Sequence, residues 1–145
     1  MVPHDDGKVA MRFGEIERDQ LQNVRRPSNR REKRVRHFID WVSKRIGLKD
    51  ADIDIAFSYN KADAQDQHRT GQFDWHNKKM LVYVGNRNMV DILRTVCHEL
   101  QHVKQNEDGR IKKYTGPGSP LEVEADAVAG YLMKLYGKLY RDIFE

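Results

Sequence analysis

Between Asn88 and Gly109 the apolar residues recur at three- and four-residue intervals, with Leu93, Val96, Cys97 and Leu100 forming one stripe. That period commits the segment to an amphipathic helix packed against a core. Asn88, followed by Asp91, suits the helix start, and Gly109 suits its end. Within the helix runs TVCHELQHVKQ, Thr95 to Gln105, which carries two histidines four residues apart and a glutamate directly after the first. Residues four apart on a helix share a face, so His98 and His102 can each point an imidazole at a common centre. Glu99 lies about 100° further round, at the edge of that centre. Folding alone has no use for this arrangement.

Metal chemistry does. Two neutral imidazoles suit zinc, which in catalytic sites takes three protein ligands and keeps a fourth position for water. A carboxylate beside the site, not bound to the ion, can accept a proton from that water. His98-Glu99-x-x-His102 is thus the zinc-peptidase signature. The competing reading is a pair of surface histidines beside a helix glutamate, and a third ligand would separate the two.

Position 108 is Asp and position 105 is Gln, which disfavours the metzincin pattern with its third histidine six residues on. Downstream, SPLEVEADAVAGYLMKLY offers Glu122, Glu124 and Asp126 on a helix that Ser119 and Pro120 start. Glu122 and Asp126 share a face, whereas Glu124 points elsewhere. Glu122 is the expected third metal ligand and Glu124 the alternative. Asp126, one turn on, can accept the free N–H of His98. Ser119-x-x-Glu122 is also a capping box, a competing use for the Glu122 carboxylate. Ala125, Ala129 and Gly130 suggest that another helix approaches closely.

The HELQH run followed by EVEADAVAGYLM resembles the gluzincin branch of the zincin metallopeptidases. The second segment is similar to the pattern of ImmA/IrrE-type peptidases, and the Glu-x-x-x-Asp spacing to that of thermolysin-like and Ste24/HtpX-like enzymes. The matched positions lie between Asn88 and Met133. The resemblance implies a small zincin-like domain, with an active-site helix under a twisted sheet and an edge strand near Gln72–Trp75 that pairs with an extended peptide. It implies a zinc endopeptidase rather than an exopeptidase, with one Zn2+ per chain. Two departures stand out. Gln101 replaces the usual small residue before the second histidine, and all six histidines lie at or before His102, so none downstream can steady an oxyanion. Tyr114 and Tyr131 are the substitutes to consider.

Elsewhere the pattern predicts an α+β domain. A helix from Ser28 or Asn29 to Ile46 ends at Gly47, and a half-buried strand covers Asp52–Phe57. A hairpin turns at HNK, the helix of the motif follows, and a last helix runs to about Ile143. Residues 1–27 read as a partly ordered arm and 28–145 as the domain. With 145 residues and 39% hydrophobic content, the chain can bury roughly two thirds of its unfolded surface. One cysteine, Cys97, precludes an internal disulfide, and its place in the apolar stripe marks it as a core residue. No run approaches the ~20 apolar residues of a membrane span, so a cytoplasmic location is expected. The net charge is a modest +4, yet seven Arg and Lys fall between Arg25 and Arg36. They read first as the solvated face of a helix, and second as a contact for nucleic acid or an acidic protein. His68 and His76 lack ligand spacing. A latent or non-catalytic zinc-binding regulator and a basic nucleic-acid-associated protein remain the alternatives to a peptidase.

Overall fold

The computed structural model describes residues 10–13, 24–25, 29–48, 52–58, 71–74, 76–85, 87–111 and 119–144. It is an α+β fold. In chain order the elements are β1 (Ala10–Phe13), β2 (Val24–Arg25), α1 (Asn29–Ile46), β3 (Asp52–Ser58), β4 (Gly71–Asp74), β5 (Lys79–Tyr83), α2 (Met89–Glu107), α3 (Pro120–Leu139) and a 3₁₀ turn at Arg141–Phe144.

The sheet runs β1-β3-β5-β4, with β2 also on β3. β1 and β5 flank β3 in parallel, and β4 closes an antiparallel hairpin with β5. β5 occupies one edge of β3 over Asp54–Ser58, so β1 and β2 share the opposite edge. The three expected strands are thus joined by two short ones from the segment read as an arm. Only four and two residues long, they make their bonds with β3, far along the chain, and carry little periodic signal of their own.

β3 alternates as its pattern predicts from Asp52 to Ile55 and is then buried on both faces. Ile53, Ile55 and Phe57 face the main core, and Ala56 and Ser58 on the other face are fully buried too. The cause is position, because a strand paired on both edges near the sheet's centre is readily covered on both faces. The hairpin turn is closed by Asp74, whose carboxylate accepts from the backbone N–H groups of His76 and Asn77 and from the Asn77 amide. Those bonds, with Asn77's the strongest, hold the Asp74 pKa below its ordinary value.

α1 buries Val35, Phe38, Ile39 and Val42 completely and stops at Gly47, where φ is +73°. α2 is the central helix. Its N-cap Asn88 accepts from the Asp91 N–H, and Leu93, Val96, Cys97 and Leu100 are fully buried, as their spacing requires. Burial pushes the Cys97 thiol up to about 12, which keeps it an inert core group. α2 carries the sheet on one side and α3 on the other, where Ala125 and Ala129 are fully buried.

α3 ends earlier than its apolar pattern suggests. Tyr140 leaves helical geometry at φ −129° and ψ 74°. The chain then folds back so that Ile143 is buried and Arg34 pairs with Asp142. No helix among the described residues is long and apolar enough to cross a membrane.

β4 lies directly on α2, and Gly71 makes this possible. A Cβ at Gly71 would stand 2.6 Å from Thr95 Cγ2, 3.1 Å from the Leu81 carbonyl oxygen and 3.5 Å from Glu99 Cγ. Gly71→Ala is therefore expected to destabilise the fold by about 1–3 kcal/mol, read as a shift of the denaturant midpoint. Adding Thr95→Ser, which removes the nearest clashing methyl, should recover part of the loss in a double-mutant cycle. Additive effects would show that the two residues do not meet.

Candidate metal centre

The face of α2 turned to α3 carries His98, Gln101, His102 and Gln105, spaced at helical intervals. Opposite them, the first turn of α3 supplies Glu122. Ser119 caps this helix by accepting from the Glu122 backbone N–H at 3.3 Å, and Pro120 occupies the first helical position. Only the serine half of the capping box is used for capping. The Glu122 carboxylate turns to the histidines instead, with Oε2 3.0 Å from His98 Nε2 and Oε1 3.0 Å from His102 Nε2. The two Nε2 atoms are 3.1 Å apart. Ligand atoms from His98, His102 and Glu122 thus form a group that could hold a metal ion.

The outer nitrogen of each ring decides which way its lone pair points. His98 Nδ1 lies 2.8 Å from Asp126 Oδ1, and a carboxylate oxygen accepts, so Nδ1 carries the proton. His102 Nδ1 lies 2.7 Å from Gln105 Oε1, again an acceptor. In their neutral forms both rings therefore present bare Nε2 lone pairs to each other and to the Glu122 oxygens. Four acceptor atoms meeting with no donor among them are relieved either by added protons or by a cation. A proton serves one pair, whereas a divalent ion meets all three residues at once. Zinc bonds of about 2.0–2.1 Å at tetrahedral angles set donor atoms roughly 3.3 Å apart, close to the spacings here. The donor set, two imidazoles and one carboxylate, fits zinc.

Glu99 is buried, and its Oε2 lies 3.9 Å from His98 Nε2, at the margin of the cluster. Strand β4 passes over it at Gly71. His98, His102 and Glu122, the adjacent carboxylate of Glu99 and strand β4, at the edge of the described sheet, thus lie together.

Glu124, the alternative ligand, is committed elsewhere. Its carboxylate takes a two-pronged bond from Arg110 (2.7 and 2.9 Å), and Oε1 also accepts from Gln101 (2.7 Å) and Gln105 (3.1 Å). Gln101, the departure from the small residue expected there, belongs to this network. The Arg110 guanidinium first, with both glutamine amides adding to it against the opposing effect of burial, holds Glu124 at about 2.

Gln105 and Arg110 had no place in the sequence reading. The signal for Gln105 was its position three residues after His102. Arg110 had none beyond Gly109, which takes φ +74° at the helix end. There Arg110 N–H bonds to the Gln105 carbonyl and Gly109 N–H to that of Asn106, a Schellman motif that turns Arg110 back over the last turn.

Other candidates fall away from the centre. Tyr131 is 64% exposed and nine residues beyond Glu122, half a turn round α3. His76 is an exposed residue of the hairpin turn. Tyr114, His68 and Trp75 lie outside the described residues. Of the basic run, Arg34 pairs with Asp142 and donates to the Tyr136 hydroxyl, while Arg36 pairs with Glu32, so part of that charge is spent inside the fold.

The low Glu124 pKa carries a sign. A carboxylate depressed in the folded state stabilises above its unfolded value, about 4.3, and that contribution is lost as pH falls toward about 2. Denaturant midpoints should therefore drop across that acid window, and Glu124→Gln should flatten the drop. An unchanged acid limb in the variant would remove Glu124 as its source.

No family model matches the chain, and neither a curated protein nor a solved structure matches it.

Proposed function

We propose that the protein is a zinc-dependent peptidase of the zincin type, with His98, His102 and Glu122 holding the ion. What carries the reading is the convergence of three acceptor side chains, spaced as zinc ligands, beside the buried carboxylate of Glu99. When bound, zinc supplies two things at such a site: it acidifies a coordinated water and polarises a substrate carbonyl.

The chain's own groups do the rest. Glu99 accepts a proton from the attacking water and delivers it to the leaving amine, the general base and acid roles of one positioned carboxylate. Asp126 accepts the His98 Nδ1–H hydrogen bond and so keeps that ring's Nε2 turned inward. β4 is hydrogen-bonded to β5 on one side, at the edge of the described sheet, and it runs above Glu99. An extended peptide added along its other side would lie across the site by strand pairing. The substrate is accordingly a protein or peptide in extended conformation, cut internally.

Purified protein should contain one equivalent of zinc per chain by metal analysis. Glu99→Gln is expected to keep that zinc and lower hydrolysis of an unstructured protein substrate by about 10²–10⁴-fold. His98→Ala should lose both metal and activity. Zinc bound with hydrolysis unaffected by Glu99→Gln would instead favour a non-catalytic, regulatory metal site.

A further inference from the structure

His98 and His102 are steadied by different chemistry. His98 donates its outer N–H to a carboxylate, Asp126, whose side chain is 73% exposed. His102 faces a neutral amide, Gln105, which is fully buried. That amide is committed on every side. Its Nε2 donates to the Leu121 carbonyl at 3.0 Å and to Glu124 Oε1 at 3.1 Å, which leaves Oε1 to accept from His102 Nδ1 at 2.7 Å. Flipping the amide would set oxygen against oxygen at both acceptors, so the orientation is enforced from behind.

The backing extends two residues further. Glu124 is held by both prongs of Arg110 and by Gln101, and Arg110 is delivered to it by the turn at Gly109. The series Arg110–Glu124–Gln105–His102 therefore runs from a surface guanidinium to a ring nitrogen through charge-assisted and buried hydrogen bonds.

We infer that Gln105, Glu124 and Arg110 form a positioning relay that keeps the His102 proton on Nδ1 and turns its Nε2 lone pair to the metal-binding point. None of the three touches substrate or the reacting atoms, so they are positioning residues. The inference deepens the metal-site reading and rests on it for its consequence. Its local claim, which nitrogen of His102 is protonated, stands without metal. The relay also gives Glu124 a purpose distinct from ligation, and it ties α3 and the turn after α2 to the orientation of a single ring.

The test uses the full chain. Nitrogen-15 spectra of the metal-free protein at about pH 8, where an ordinary histidine is neutral, should show His102 as the Nδ1–H tautomer. In Gln105→Leu that preference should collapse toward a mixture, and zinc affinity measured by competition with a chelating dye should fall about 10- to 100-fold. Arg110→Ala, three bonded steps from the ring, should shift both readouts in the same direction by less. A purely structural role for Gln105 would lower the melting temperature and leave tautomer and affinity unmoved. His102 protonated on Nε2 in the parent protein, or a Gln105→Leu variant with parental tautomer and affinity, overturns the relay. Should Gln105→Leu fail to fold, Arg110→Ala decides alone, and parental values in it overturn the inference. A parent protein that binds no zinc or hydrolyses nothing sinks the peptidase reading, while the tautomer measurement still judges the relay.

Discussion

Where α2 crosses α3, two imidazole nitrogens face each other at 3.1 Å while both oxygens of Glu122 approach them at 3.0 Å. Four electron-rich atoms brought this close repel one another unless a positive charge sits among them. The surrounding structure supplies the restraint. Asp126 and Gln105 fix the two rings from outside, and Ser119 fixes the start of the helix that bears Glu122. Ala125 and Ala129, both fully buried, are the small residues where α3 meets α2. An arrangement so costly in isolation persists only when many ordinary contacts over-determine it.

The sheet contributes through its edge. β4 belongs to the hairpin with β5, and its glycine allows the strand backbone to rest on Thr95 and Glu99 with no side chain between. One close approach thus brings the β4 backbone and the buried Glu99 carboxylate together. Arg87 braces the same corner, donating to the Tyr83 and Asp91 carbonyls and to the Thr95 hydroxyl, so the end of β5 is tied to the first turns of α2. Burial lowers the Arg87 pKa, and the nearby Asp91 works against that.

Much of this was legible along the chain wherever the physics is short-range. The apolar stripes of α1 and α2, the cap at Asn88, the stop at Gly47 and the hairpin around Asn77 each depend on neighbours a few residues away, and each appears as its pattern implies. The pair His98 and His102 and the adjacent Glu99 were legible for the same reason, since one helical turn sets their geometry. β1 and β2 were not, because such short strands are defined by partners on β3. Nor was the burial of both faces of β3 from Ala56 to Ser58, a property of its central place in the sheet.

The amino-acid order alone established an α+β chain with a helix presenting two histidines to one point, and it narrowed their acidic companion to Glu122 or Glu124. Only the packed fold separated those two acids, sending Glu122 to the histidines and Glu124 to Arg110, Gln101 and Gln105. The reason is geometric. Periodicity tells which side of its own helix a residue occupies, but the rotation and offset of one helix against another are set by how their side chains interlock, a long-range quantity with no local signature.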